Sequence, residues 1–254
     1  VSVDDGIAQL VLDAPERRNA SSRQDWLDLH SAVSELAAGA PLRGLTIRGS
    51  DQTFSAGADM ALLQELRGLS TERRRELLAT AAELVLRLVR FPAPTVALVD
   101  GACFGGGASL ALACDQVLAT ARAKFGFVFT TLGLPAGDMG ASWLLARRIG
   151  ARRAWPILAS GGVIPADAAL ELGLVDAVSD VSCDELAASV TWPTGAPMAV
   201  RTTKRQLLLM EGAYDPLDAL VSGQLDDLAA AVGGPEFAEG LSSLLERRPP
   251  KFDR

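Results

Sequence analysis

Apolar residues recur along the first half of the chain in runs that predict strands separated by helices. Residues 7–13 and 45–48 read as strands, and Thr95–Val99 is a short apolar run that stops at Asp100-Gly101. Between the first two, Trp26, Leu29, Val33 and Leu36 fall at helical spacing behind Ser21 or Ser22, either of which suits an N-cap. Ser70 or Thr71 opens a second long helix with Leu77, Leu84 and Leu88 along one side, and Pro92 and Pro94 stop it. Residues 105–113 predict a short buried helix of small residues, followed by a strand over 116–119.

From Asp138 onward helical signals dominate. Asp138 precedes Trp143, Leu144 and the basic pair Arg147-Arg148, and is suited to capping a helix that runs to Arg148. Pro165 sits near the first turn of a helix over Ala166–Leu172, which Gly173 ends. After Trp192-Pro193 come three helical stretches, near 198–210, 217–232 and 236–247. Their apolar faces need a partner, either the main body or another subunit. The order predicts an α/β core over residues 1–192 and a helical tail over 193–254.

Composition narrows the class. The chain has 254 residues, 49% hydrophobic and 22% charged, which suits a soluble globular protein with a core of its own. A formal charge of -7 gives the whole molecule no attraction for nucleic acid or an anionic membrane. An anionic ligand would therefore need local basic residues. The most apolar stretch, residues 96–114, is broken by Asp100 and four glycines and reads as strand, turn and helix, not as a membrane span. Cys103, Cys114 and Cys183 are odd in number and lie in apolar or helical stretches, as buried reduced thiols do. With no basic segment and apolar h-region at the start, the expectation is a cytoplasmic protein.

Three segments and the tail carry a resemblance. They are Ala14-Pro15-Glu16-Arg17-Arg18-Asn19-Ala20, Phe54-Ser55-Ala56-Gly57-Ala58-Asp59-Met60, and Asp100-Gly101-Ala102-Cys103-Phe104-Gly105-Gly106-Gly107 with Ala113-Cys114-Asp115 behind it. Glu239-Gly240 through Leu245-Glu246-Arg247-Arg248-Pro249 completes the set. Any one motif is weak, since a Gly triplet is common. All four, in this order and spacing, resemble the crotonase (enoyl-CoA hydratase/isomerase) superfamily from end to end. The resemblance implies a spiral of ββα units with a C-terminal helical region that packs as a homotrimer or a dimer of trimers. It also implies an acyl-CoA substrate, so that coenzyme A arrives as a thioester and no prosthetic group or metal is expected.

The chemistry of the two loops follows from their residues. A thioester α-carbon bears carbanion character only when charge developing on the carbonyl oxygen is stabilised. Two fixed backbone donors do this with little reorganisation, and such donors approach a ligand closely only where side chains are small. Ala56-Gly57-Ala58 and Gly105-Gly106-Gly107 both meet that condition, and the second loop opens a helix whose N-terminus favours negative charge. By resemblance the donors are the N–H groups of Ala58 and Gly106. Resemblance also places Arg17, Arg18, Ala56, Asp59 and Met60 around the adenine and pantetheine, with Arg247, of this or a neighbouring subunit, near the phosphates. The alternative for the two loops is a turn and a close helix packing without chemistry; for the arginines it is a solvated surface.

The sequence departs from the hydratase pattern at both glutamates that position water. One position is Ser109 and the other Phe129, so neither supplies a carboxylate to the substrate pocket. General acid–base catalysis is worth roughly 10²–10⁴-fold per group, which argues against ordinary syn-hydration. Asp138, in Gly137-Asp138-Met139-Gly140, is the remaining acid; some branches, 4-chlorobenzoyl-CoA dehalogenase among them, resemble this stretch and carry an Asp there. The single histidine, His30, lies on the first helix between core positions, away from the motifs. Decarboxylation, isomerisation and an atypical hydration or dehydration all remain open, as does a non-catalytic CoA-binding or assembly subunit of the same fold.

Overall fold

The apolar runs become strands of one twisted sheet because most are covered on both faces. In the computed structural model, which describes residues 1–210 and 215–252 (backbone course only for Asp138, Met210 and 215–221), Ser2–Asp4 (β1) and Ile7–Leu12 (β2) form an antiparallel hairpin. Gly44–Gly49 (β3) pairs parallel with β2, and Thr95–Val99 (β4), buried at every position, pairs parallel with β3. Ala102–Phe104 (β5) turns away into a second sheet, while Gln116–Thr120 (β6) returns to the first beside β4. Lys124–Gly126 (β7) and Val163–Pro165 (β8) join β5, and Ala177–Ser179 (β9) closes the edge of the first sheet next to β6. The long sheet runs β1-β2-β3-β4-β6-β9 and the short one β5-β7-β8. From β4 onward the chain passes back and forth between two sheets, with helices at the turns, an α/β arrangement of the kind the resemblance implies.

Helix ends follow the caps written in the chain. Ser22 caps Arg23–Ala38 (α1) in a reciprocal box with Asp25, and Trp26 and Val33 bury its inner face. Met60–Gly68 (α2) is not evident from apolar spacing; Asp59 opens it by accepting the Leu62 N–H at 2.7 Å. Ser70 caps Thr71–Val89 (α3), whose Leu84 and Leu88 are fully buried. Gly106–Leu112 (α4) is buried throughout. Ala141–Ile149 (α5) begins at Gly140 in a left-handed conformation, so Asp138 does not occupy its N-cap position. Asp138 starts instead a separate 3-10 turn, Asp138–Gly140. Ala151–Ser160 (α6), Ala166–Leu172 (α7) and Cys183–Ala188 (α8) complete the part before Trp192.

Pro197–Met210 (α9), Asp215–Val232 (α10) and Pro235–Glu246 (α11) form the tail. Leu225, Leu228, Val232, Phe237 and Leu241 are buried, so α10 and α11 find much of their partner within this chain. Gly240 lets α11 sit directly on the turn Thr130–Leu132, because a Cβ there would lie 2.5 Å from the Leu132 carbonyl carbon. Leu207, Leu209, Leu244 and Leu245 remain exposed.

A buried cation ties the tail to the core. Arg74 on α3 is 8% exposed and donates Nε–H to the Leu66 carbonyl at 2.8 Å, Nη2 to that of Arg67 at 3.1 Å, and Nη1 to that of Ala229 at 3.3 Å. It thereby satisfies carbonyls at the C-terminal ends of α2 and α10, where a positive charge is favoured. Arg74→Met is expected to lower stability by about 3 kcal/mol, because buried carbonyls lose a charged donor. Urea denaturation checks this; a midpoint within error of the parent would show the clamp to be energetically idle.

A second clamp holds the end of the chain and carries a pH dependence. Glu239 accepts from Arg248 Nη1 at 2.6 Å and Nη2 at 2.9 Å, and from the Lys251 N–H at 2.6 Å. The Arg248 guanidinium and that N–H hold the Glu239 carboxyl at about 2, against an ordinary 4.5. Its folded value lies below the unfolded one. The clamp therefore contributes fully above about pH 4.5 and is lost as pH falls toward 2. The protection of the amides of residues 247–252 against exchange, relative to the free-chain rate at each pH, is expected to fall over that window. Glu239→Gln should reduce the effect to the part due to Glu246, which also accepts from Arg248.

Candidate active site

Pairing far apart in the sequence brings the two small-residue loops together. Ser55 bridges in parallel to Cys103 of β5: the Ser55 N–H donates to the Ala102 carbonyl at 2.9 Å, and the Phe104 N–H to the Ser55 carbonyl at 2.9 Å. Three residues beyond that bridge on each side stand Ala58 and Gly106, and both line one cavity. Gly57 has φ +93°, and a Cβ on it would lie 2.9 Å from the Phe104 carbonyl oxygen, so only glycine allows the approach. The triplet divides its work. Gly105, at φ +53°, makes the turn; Gly106 faces the cavity; Gly107 packs on Ser55, whose Cβ would stand 2.7 Å from an added methyl.

The loop holding Ala58 is stitched to residues 18–21. The Ala56 N–H donates to the Arg18 carbonyl at 3.0 Å, the Ser21 N–H to the Gly57 carbonyl at 2.7 Å, and the Asp59 N–H to the Ser21 carbonyl at 3.0 Å. Asn19, buried and left-handed at φ +53°, donates to the carbonyls of Ser50 at 3.0 Å and Thr53 at 2.6 Å and accepts the Ala14 N–H at 2.9 Å. Ser55 Oγ donates to the Asn19 carbonyl and accepts the Gly57 N–H. The sequence motif includes Asn19 and Ser55, yet nothing in it shows that they fix the loop.

Among the described residues, the N–H groups of Gly57, Asp59 and Gly105 each have an acceptor, whereas those of Ala58 and Gly106 have none. A partly buried N–H without a partner is uncommon in a native chain. Two side by side at one cavity form a ready receptor for an oxygen that gathers negative charge. The helix that Gly106 opens, α4, is only 7 residues long. The N–H groups themselves therefore matter more than its summed dipole.

The remaining walls are apolar. α1 supplies Trp26, α2 supplies Leu62, Leu63 and Leu66, and Met139 from the 3-10 turn lies over Gly106, its Sδ 2.8 Å from where a Cβ would stand. α10 and α11 add Leu228, Val232 and Phe237, which the sequence presents only as an apolar helical face. No described residue of the lining carries a carboxylate, hydroxyl or imidazole. In such surroundings a hydrogen bond to a developing charge is stronger than in water.

The other sequence-derived candidates are placed as follows. Arg17 and Arg18 end the 3-10 turn Pro15–Arg17, which the Ala56 N–H ties to the Ala58 loop through the Arg18 carbonyl, and Asp59 and Met60 lead from that loop into α2. Arg17 is partly engaged, with Nη2 at 3.0 and 2.8 Å from the two oxygens of Asp25, while Arg18 is exposed. Asp59 serves as the α2 cap. Arg247 stands exposed in a left-handed conformation at the end of α11 and is not joined to that group within this chain. Ser109 and Phe129 are buried, but neither lines the cavity; Leu134 forms the wall that follows Phe129. The Asp138 side chain lies outside the described residues, although its neighbour Met139 faces the cavity. His30 turns toward α3 and accepts a hydrogen bond from Arg87 Nε at 2.9 Å, so it takes no part in the site. Burial pushes the Cys103 thiol well up and that of Cys114 up to about 12, which leaves neither a nucleophile near neutral pH.

Among the described residues no group of histidine, cysteine or acidic side chains could hold a metal ion, and no helix is long and apolar enough to cross a membrane.

Comparison with known proteins sets these features in a family. The sequence profile described as Enoyl-CoA hydratase/isomerase matches residues 2–254. The chain is 31% identical to crotonyl-CoA hydratase of Syntrophomonas wolfei over 98% of its own length and 95% of that protein's. A crystal structure of an enoyl-CoA hydratase from Mycobacterium avium subsp. paratuberculosis superposes with a TM-score of 0.84 at 29% identity, covering 100% of this chain and 97% of the other. One from Bacillus halodurans gives a TM-score of 0.84 at 25% identity, covering 95% and 98%.

Proposed function

Because the chain belongs to the enoyl-CoA hydratase/isomerase (crotonase) family, we propose that its cavity takes an acyl-CoA thioester whose carbonyl oxygen sits between the N–H groups of Ala58 and Gly106. The observation that carries this reading is that these two N–H groups, at one apolar cavity, have no acceptor among the described residues. There they stabilise an enolate. Arg17, Arg18, Ala56, Asp59 and Met60, in and beside the Ala58 loop, receive the adenine and pantetheine in this reading, and Arg247 of this or another subunit meets the phosphates. A pantetheine thioester on a carrier protein fits the same logic.

Two enolate routes suit a lining without carboxylates. In the first, a malonyl-type or glutaconyl-type thioester loses carbon dioxide: the C–C bond breaks, its electron pair passes into the thioester as enolate, and a proton returns to carbon. No base is required, so an apolar wall is no handicap. In the second, the Asp138 carboxylate takes a proton from Cα and returns it elsewhere on the acyl chain, or assists an atypical hydration or dehydration. Ordinary hydration is disfavoured because Ser109 and Phe129 stand where paired glutamates would work.

A panel of malonyl-, 2-enoyl- and 3-enoyl-CoA thioesters, assayed with the parent and Asp138→Asn, separates the routes. Decarboxylation unaffected by the substitution selects the first, and a large loss of isomerisation or hydration selects the second. Acyl-CoA binding with no conversion of any thioester would make this a non-catalytic CoA-binding subunit, a reading that the two missing glutamates favour. The exposed Leu207, Leu209, Leu244 and Leu245 support assembly as a homotrimer or dimer of trimers, which sedimentation velocity tests directly.

A further inference from the structure

The cavity behind Ala58 and Gly106 is small and ends at a partition. Its free volume is about 40 Å³, room for about three water-sized groups and so for only a short acyl chain. Outside it, between α1, α2 and α3, lies a surface groove of about 270 Å³. Two side chains line both spaces: Trp26 of α1 and Leu77 of α3. Trp26 is 5% exposed, and its six-membered ring reaches within 3.1 Å of where a Cβ on Gly106 would stand. The indole therefore lies against the proposed thioester position on one side and the groove on the other. The groove's rim is charged, with Arg23 at 3.6 Å from Glu65 and Arg73 at 2.8 Å from Glu76, while Leu27, Leu69 and Leu77 supply apolar lining.

We propose that Trp26, backed by Leu77, is the chain-length gate of this enzyme: it restricts the site to short acyl thioesters, and its removal would let a longer chain run into the groove. The inference rests on the acyl-CoA reading above. An acyl group entering at Ala58 and Gly106 meets the indole within a few carbons. Past the indole, space widens and apolar surface continues along α3. Each methylene buried there is worth about fourfold in affinity, so joining the two spaces changes the dependence on chain length and not merely the overall affinity.

The test measures binding of saturated butanoyl-, octanoyl- and dodecanoyl-CoA by calorimetry to the parent, Trp26→Ala, Trp26→Phe and Leu77→Ala. The parent is expected to prefer butanoyl-CoA. In Trp26→Ala the ratio of octanoyl to butanoyl affinity should rise at least about tenfold, and in Leu77→Ala by a smaller factor, while Trp26→Phe keeps the parent's profile. Should Trp26→Ala fail to fold, Leu77→Ala thins the same partition and carries the expectation alone. Equal chain-length profiles in parent and folded variants, with acyl-CoA bound, overturn the gate and leave the acyl-CoA reading intact. Absence of binding by any acyl-CoA to the parent overturns both.

Discussion

Ala58→Pro is expected to lower turnover of the preferred acyl-CoA by roughly 10²–10³-fold, the usual consequence of deleting one oxyanion donor. The change removes the N–H and sets the ring Cδ in its place, at the cavity that Ala58 lines. That N–H has no acceptor among the described residues, while the bonds that hold the loop use the carbonyl of Gly57 and the N–H of Asp59. Ala58 has no positive φ, and the residue before it is glycine, so a proline ring meets few obstacles. The donor acts mainly on charge that develops in the transition state, so kcat should fall, and the ring Cδ at the proposed oxygen position should raise KM as well. Steady-state kinetics beside a thermal melt and Ala58→Ser, which keeps the N–H, test this. A folded Ala58→Pro protein with the parent's kcat would remove Ala58 from the mechanism.

Asn19→Ala is expected to cost about 4 kcal/mol of stability, or on the order of 10 °C in Tm for a chain of this size. Three half-buried backbone groups lose a hydrogen bond at once: the Thr53 carbonyl and the Ala14 N–H lose the side chain that pairs them, and the Ser50 carbonyl keeps only the Thr53 N–H. Alanine also tolerates the left-handed backbone at this position less well than asparagine does. Asn19→Gly should recover only the backbone share, and Asn19→Asp should stay close to Asn19→Ala because a carboxylate cannot donate to two carbonyls. Since this network seats Ser55, and Ser55 seats Gly57, activity should fall in the same order as stability. A melting temperature within about 2 °C of the parent would show that the loop is held in some other way.

Local signals served well where the physics is local. Ser22 and Ser70 cap their helices because a hydroxyl meets free N–H groups within the next turn, and Pro92 follows α3 because it cannot extend it. The three-residue strands β5, β7 and β8 escaped, since they are too short to show a period and exist only by pairing with one another. The helix α2 escaped for a related reason: its cap, Asp59, lies in a segment that reads as a ligand-binding loop. Arg74 looks in the sequence like one of three consecutive surface arginines, and only the approach of α2 and α10 makes it a buried clamp.

The sequence by itself determined the two small-residue loops, the order of the family's motifs, and that Ser109 and Phe129 carry no carboxylate at the positions where the resemblance implies glutamates. Tertiary structure alone decided that the N–H groups of Ala58 and Gly106 meet at one cavity with no acceptor among the described residues, because this depends on the bridge between Ser55 and Cys103. It also decided that Trp26, Met139 and Phe237, from widely separated elements, close one cavity around them. Such register and convergence are set by hydrogen bonding and packing between distant segments, which no local pattern in the chain encodes.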